Sequence, residues 1–329
     1  MSLPRLLVLS LGGTITMTAT AEGGILPTLG AAELVGAVPG LAEVADIKAR
    51  SPMKVGSASL TPENIAAVAG EIRAGFAGGF DGAVVIQGTD TIEETAFLLD
   101  LLVRDERPVV VVGAMRGPQQ PGADGPANLL AGARVAASVA ARGLGTLVVL
   151  NDEIHAARFV RKAHTALTSA FVSDMAGPLG LVAEGRVRML AGVARPALPA
   201  LDPGEGPLPP VALLKIALGE DGRLLRAVPD LGYAGLVIEG AGAGHVPGAV
   251  AALVGEVATR LPVVMASRTL AGPVFERTYG YPGSEIDLLG RGVLSAGLLT
   301  GVKARLLLSL ALAAGWDRAA LADAFAAYG

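Results

Sequence analysis

Three short stretches of this chain combine hydroxyl and charged side chains with backbone that a ligand can approach. Gly12-Gly13-Thr14-Ile15-Thr16 presents a hydroxyl directly after two glycines, which let the backbone turn sharply and lie close to a ligand. Gly88-Thr89-Asp90-Thr91-Ile92-Glu93-Glu94 sets the Thr89 hydroxyl beside the Asp90 carboxylate, a candidate nucleophile or water-activating pair. The third stretch runs from Asn151-Asp152-Glu153-Ile154-His155 through Arg158, Arg161 and Lys162 to His164, a polar cluster in a chain only 17% charged. A partly desolvated lysine in such a cluster, here Lys162, can act as a base. Each stretch also has a plainer structural reading: a Gly-rich turn, a capping box between Thr91 and Glu94, and a solvated helix face with i,i+4 ion pairs. The capping box accounts for Thr91 and Glu94 but gives Thr89 and Asp90 no structural task.

The elements that must position these residues alternate in type. Near-continuous apolar runs at 6–11, 83–87, 109–112, 147–150, 236–239 and 263–266 predict strands covered by helices on both faces. Ala/Leu-rich stretches lie between them, as in βαβ units of an α/β fold with parallel sheets. Thr61-Pro62-Glu63 opens one helix, with a capping hydroxyl, a proline at the first position and an acid near the positive end of the dipole. In such folds ligands bind beyond the carboxyl ends of the strands, which is where all three polar stretches fall. Pro196, Pro199, Pro203, Pro207, Pro209 and Pro210 form a proline-rich linker over 196–210, so a larger N-terminal domain (1–195) and a smaller C-terminal domain (211–329) are expected.

Composition excludes several classes. The 329 residues carry 26 basic and 30 acidic side chains, a net charge of −4, with no basic stripe for nucleic acid. There is no cysteine, and the three histidines (His155, His164 and His245) have no short metal-ligand spacing, so neither a disulfide nor a metal site is expected. Mean hydropathy is +0.55, yet no run reaches the ~20 uninterrupted apolar residues of a membrane span. The N-terminal apolar run is shorter than a signal-peptide core and passes straight into Gly12-Gly13-Thr14, so it reads as a first strand in a soluble, cytoplasmic protein. Gly240-Ala241-Gly242-Ala243-Gly244-His245 lacks the third glycine at the dinucleotide spacing, and no acid closes the strand that follows. No cofactor is expected.

Four separated segments then coincide with one family: LSLGGTIT, IQGTDTIEETAFLLD, GAMRGPQQPGADGPANLL and VVLNDEIHAARFVRKAHT. Together they resemble the bacterial-type L-asparaginases, which are threonine amidohydrolases. Weaker similarity continues through AGLVIEGAGAGHVP, PVVMASRT and LSAGLLTGVKARLLLSLAL. The resemblance implies a two-domain α/β fold, assembly as a homodimer or homotetramer, and hydrolysis of L-asparagine, with L-glutamine as a possible second substrate. It casts Thr14 as nucleophile, and Thr89, Asp90 and Lys162 as the second polar triad. It casts Ser57 as the group for the substrate α-carboxylate, and Asp90 with Glu285 as partners of its ammonium. Glu285 would reach a neighbouring subunit's site.

Three positions depart from the family pattern. The first-loop tyrosine falls near Gly24, leaving Thr16, Thr18 or Thr20 to substitute; Gln87 stands where histidine is common; and His245 stands where asparagine is expected. Two other readings follow from the same residues. An amidotransferase subunit would need an extra domain and a nucleic-acid surface, and an asparaginase-like binding protein would bind the amino acid without turnover.

Overall fold

In the computed structural model, which describes residues 2–19, 25–27, 29–198, 201, 204 and 206–328, the chain divides into two compact units, Met1–Arg195 and Pro196–Gly329. The first unit opens with β1 (Arg5–Ser10), β2 (Met17–Ala19), β3 (Ile25–Pro27), α1 (Ala31–Ala37), α2 (Leu41–Val44) and β4 (Asp46–Arg50). It continues through α3 (Pro62–Ala77), β5 (Gly82–Ile86), α4 (Ile92–Leu102), β6 (Val109–Val112), α5 (Gly125–Ala136) and β7 (Thr146–Leu150). It closes with β8 (Glu153–Ala156), β9 (Arg161–Lys162), β10 (Phe171–Val172), β11 (Gly180–Ala183) and β12 (Arg186–Met189).

Eight of these strands form one sheet in the order β12-β11-β8-β7-β6-β5-β1-β4. From β4 to β7 neighbouring strands are parallel, while β8, β11 and β12 join antiparallel, so the sheet is mixed rather than wholly parallel. Tight turns explain the change of direction. Asn151 and Asp152 both take positive φ (53° and 61°), as do Glu184 and Gly185 (52° and 73°), the conformation that a two-residue hairpin demands. The stretch after β7 is therefore a hairpin and not a solvated helix face. Central strands are fully buried at Val84, Val85, Ile86, Val110, Val111 and Val112. Each such side chain contributes about 1.5–3 kcal/mol.

Thr61 caps α3 as its sequence predicts, accepting from the Asn64 amide at 3.3 Å. Thr91 does not cap α4: its hydroxyl donates to the Ser57 carbonyl at 3.0 Å, so the expected capping box with Glu94 is absent. The far end of α4 carries a buried ion pair. Asp100 accepts from the Thr146 amide at 2.9 Å and lies 3.0 Å from the Arg195 guanidinium, which also donates to the Asp100 and Val103 carbonyls.

The second unit contains β13 (Val211–Lys215), α6 (Arg223–Ala227), β14 (Gly235–Gly240), α7 (Gly248–Arg260) and β15 (Val263–Ser267). After these come α8 (Glu285–Gly290), β16 (Leu294–Ser295), α9 (Gly301–Ala313) and α10 (Arg318–Ala326). Its four strands run parallel in the order β13-β14-β15-β16. Leu236 and Ile238 join a core with Val250, Val254 and Val257 of α7, while α9 packs against β13, β14 and β15. No described helix is long and apolar enough to cross a membrane. The described residues between 196 and 210 form neither helix nor strand.

Burial of titratable groups sets two expectations for stability. Asp100→Ala leaves the Arg195 guanidinium without its counter-charge and the Thr146 amide without its acceptor, and should cost about 3–5 kcal/mol in urea denaturation. His155 on β8 is 1% exposed, and burial pushes its imidazole down from 6.5 to about 4. Above pH 6.5 both folded and unfolded chains hold it neutral. As pH falls from 6.5 to about 4 the unfolded chain takes up the proton that the folded chain refuses. This group should therefore remove about 3 kcal/mol of stability across that window and nothing further below it. Comparing wild type with His155→Asn at pH 7 and pH 4.5 isolates the contribution; equal slopes in both would refute it.

Candidate active site

The site begins where β1 and β5, adjacent and parallel, release their chains at their carboxyl ends. The Leu11 amide still donates to the Ile86 carbonyl at 2.8 Å, and the Val55 amide, in the segment after β4, donates to the Leu11 carbonyl at 2.9 Å. Beyond that point Gly12 and Gly13 have φ of 111° and 91°. A Cβ on Gly13 would lie 2.0 Å from the Gly88 nitrogen, so the two loops touch backbone to backbone and tolerate no side chain there. The residues that follow the two touching glycines are Thr14 and Thr89. Thr14 starts a single 3-10 turn, Thr14–Thr16, fastened by the Thr16 hydroxyl donating to the Gly13 carbonyl at 2.7 Å. Thr14 is half-buried, while Ile15 and Thr16 are buried beneath it.

Thr89 is 6% exposed, and its hydroxyl oxygen accepts from the Lys162 Nζ at 2.9 Å. The same ammonium lies 2.8 Å from the Asp90 Oδ1. The Lys162 side chain is 17% exposed and that of Asp90 is 64% exposed, so the ammonium is half-enclosed while the carboxylate faces outward. Lys162 comes from β9, 73 residues from Thr89 in the chain, and its own amide donates to Glu93 Oε1 at 3.4 Å. Because the ammonium donates to Thr89 Oγ1, the threonine proton points elsewhere, and negative charge developing on that oxygen is stabilised.

Ser57 closes the near side. It is 3% exposed, and its Oγ accepts from the Asp90 amide at 3.2 Å, which leaves its own O–H to donate. A Cβ on Gly88 would lie 2.7 Å from that oxygen. Gln87, fully buried, donates through Nε2 to the Gly88 carbonyl at 3.2 Å and to the Thr91 hydroxyl at 3.4 Å. Thr91 in turn donates to the Ser57 carbonyl, so one chain of bonds ties the Gly88 loop to the Ser57 segment.

Sequence reasoning gave no task to Asp124 and Asn128, which brace the neighbouring loop. Asp124 accepts from the Met115 and Arg116 amides, both at 2.9 Å. Asn128 is 2% exposed, donates to the Gly113 carbonyl at 3.0 Å and accepts from the Asn151 amide at 2.9 Å. Gly113 lies close against Thr89 and the Gln87 carbonyl, so the brace reaches the site. The available signal was an amide in the middle of an Ala/Leu helix, a position with no reason to be polar unless it is bonded.

Glu285 belongs to the second unit. It is fully buried at the start of α8, and its Oε1 accepts from the Thr278 and Tyr279 amides, the former at 2.8 Å. Its Oε2 lies 3.0 Å from His245 Nε2, and His245 Nδ1 lies 2.8 Å from the Tyr281 hydroxyl. Burial pushes the Glu285 carboxyl up, but the amides of Tyr279, Glu285 itself and Thr278, with the His245 ring, hold it below the ordinary carboxylate range. The Gly240–His245 loop is folded on itself by paired bonds between Ala241 and His245, which aims the imidazole at Glu285. Of the candidate substitutes for the missing tyrosine, Thr16 has its hydroxyl engaged by Gly13, whereas Thr20, Gly24 and the side chain of Thr18 lie outside the described residues.

Comparison with known proteins identifies the family. Residues 5–195 match the family described as "Asparaginase, N-terminal", and residues 210–325 match the "Glutaminase/Asparaginase C-terminal domain". The chain is 33% identical over 311 residues to an L-asparaginase of Bacillus licheniformis, covering 94% of this chain and 95% of that protein. It is 34% identical over 319 residues to L-asparaginase 2 of Escherichia coli, covering 95% and 90% respectively. A crystal structure of a probable cytoplasmic L-asparaginase from Campylobacter jejuni superposes with a TM-score of 0.85 at 32% identity, covering 98% of this chain and 99% of that one. Matched in order across both halves and at nearly full length, the chain belongs to the asparaginase family.

Proposed function

We propose that this protein is an L-asparaginase that hydrolyses the side-chain amide of L-asparagine to L-aspartate and ammonia. The observation that carries the reading is the Lys162 ammonium held within 3 Å of both Thr89 Oγ1 and Asp90 Oδ1, beside the loop that carries Thr14. Thr14 is assigned as nucleophile. It is half-buried at the head of its turn, whereas the Thr89 hydroxyl oxygen is already bonded to Lys162. Its oxygen adds to the amide carbon while its proton passes toward Thr89, and main-chain N–H groups near Thr89 stabilise the oxyanion. The C–N bond then breaks, ammonia leaves with the transferred proton, and a threonyl ester remains. Water adds to that ester, its proton returns to Thr14 and aspartate is released.

The substrate's own charges supply the grip. The free O–H of Ser57 suits the α-carboxylate, and the outward carboxylate of Asp90, one oxygen of which stays on Lys162, suits the α-ammonium. Glu285 is assigned to the site of a neighbouring copy in a homodimer or homotetramer, as a fixed negative charge beside the ammonium. With both oxygens held by its own chain and the residue fully buried, direct contact with a ligand requires the groups around it to move. The protein is assigned to the cytoplasm, the location stated for the Campylobacter jejuni relative. L-Glutamine is the alternative substrate, since one methylene in a pocket is worth only about 1–3 kcal/mol.

Ammonia release from L-asparagine and L-glutamine, followed side by side over many turnovers, tests the reading. Sustained release from asparagine is expected, with Thr14→Ala lowering kcat by at least about 10,000-fold. Thr89→Val and Lys162→Met should each lower it by about 100- to 10,000-fold in folded protein. Binding of asparagine without turnover would instead establish a binding protein. Gly13→Ala, which drives a methyl into Gly88, should abolish turnover and lower the unfolding midpoint; a fully active variant would show that the loop contact is dispensable.

A further inference from the structure

We propose that His155, through its buried hydrogen bond to Ser173, is the positioning residue that sets Lys162 against Thr89 and Asp90. The inference rests on the catalytic reading of Lys162. Lys162 lies on β9, which among the described strands pairs only with β10, and this two-stranded ribbon is not hydrogen-bonded into the eight-stranded sheet. Strands of two residues hold little on their own. Yet the amine must meet two atoms of the Thr89–Asp90 loop at 2.9 and 2.8 Å, so something must tie the ribbon to the rigid part of the unit.

β9 packs against α4, and among the described residues three polar contacts bear on where the ribbon sits. Arg161 pairs with Asp174 at 2.6 Å, but Asp174 lies two residues beyond β10, so the pair stays within the ribbon, and with side chains 23% and 37% exposed it contributes little. The Lys162 amide reaches Glu93 at a long 3.4 Å. The third joins His155 Nδ1 to Ser173 Oγ at 3.0 Å, between residues only 1% and 5% exposed. His155 is fixed in the main sheet by the pairing of β8 with β7, opposite Val148. Ser173 directly follows Val172, and Phe171, one residue earlier, pairs with Lys162 itself. The bond therefore spans from the sheet to the strand that carries the amine's register.

The surroundings also fix the histidine's protonation pattern. Glu153 Oε2 stands 3.6 Å from His155 Nε2, an atom with no hydrogen-bond partner among the described residues. A carboxylate on that side favours the tautomer with the proton on Nε2, so Nδ1 accepts from the Ser173 hydroxyl. Burial keeps the ring neutral at working pH, which preserves Nδ1 as an acceptor.

The experiment is steady-state kinetics on His155→Leu, His155→Asn and Ser173→Ala in the full chain, each also in the Lys162→Met background, with Tm recorded for every variant. His155→Leu should lower kcat roughly tenfold or more while KM moves less than about threefold. Ser173→Ala, which breaks the same bond without opening a large cavity, should do likewise. His155→Asn, whose amide stands where Nδ1 stands, should recover most of the activity. In Lys162→Met, removing His155 should cost nothing more, because the residue acts through an amine no longer present. Wild-type kcat in both His155→Leu and Ser173→Ala, or an undiminished loss in the Lys162→Met background, would overturn the proposal. If Lys162→Met itself turns over normally, the catalytic reading falls and takes this inference with it. That result differs from an inactive Lys162→Met beside a fully active His155→Leu, which defeats only the positioning role.

Discussion

The backbone contact between Gly13 and Gly88 is the constraint on which the rest of the first unit depends. Two adjacent parallel strands end side by side, and their loops close to a distance at which a Cβ on Gly13 would lie 2.0 Å from a backbone nitrogen. Only glycine fits, and φ of 91° at Gly13 would strain any other residue as well. Through that contact the sheet sets Thr14 and Thr89 as neighbours without using side-chain bonds to do so. The Thr89 hydroxyl oxygen is then free to take its bond from Lys162 rather than spend it on joining the loops.

Around this contact the polar groups form a connected set, with a second brace packed beside it. Lys162 bonds Thr89 and Asp90; the Asp90 amide bonds Ser57; Thr91 bonds Ser57 and accepts from Gln87; Asn128 ties the adjoining loop to the β7–β8 turn. Buried polar groups are costly unless paired, so a set like this has few alternative arrangements and holds its geometry. The second unit follows the same logic on a smaller scale. Glu285 is kept ionised in a fully buried place by three backbone amides, its own included, and His245, and the imidazole is held on its other side by Tyr281. Where the family pattern expects asparagine, this chain thus carries a ring that engages both a carboxylate and a phenol.

Much of the fold was legible because the signals were local. The strands at 83–87, 109–112, 147–150, 236–239 and 263–266 are β-branched apolar runs too short for helices, and each lies within one or two residues of its observed span. Three of the strands outside those runs, β4, β11 and β12, lack that signal. β4 reads Asp-Ile-Lys-Ala-Arg and lies at the sheet edge, half exposed along its length. The β11–β12 hairpin turns on Glu184-Gly185, whose two-residue turn is weaker punctuation than Asn-Gly. Thr91 misled for a related reason: its spacing to Glu94 fits a capping box, but the hydroxyl found a better partner in a serine 34 residues earlier.

By itself the sequence determined the layered α/β class, the proline-rich break near 196–210, the residue types able to attack an amide, and the family. These depend on periodicity, composition and short motifs, all of which are contained in neighbouring residues. Only the tertiary structure decided that Lys162 reaches Thr89 and Asp90 across 73 residues, that Ser57 rather than a helix end takes Thr91, and that Glu285 is buried against His245. Those outcomes depend on which strands become neighbours in a sheet. Strand pairing is settled by the burial of whole faces, and no window of sequence contains it.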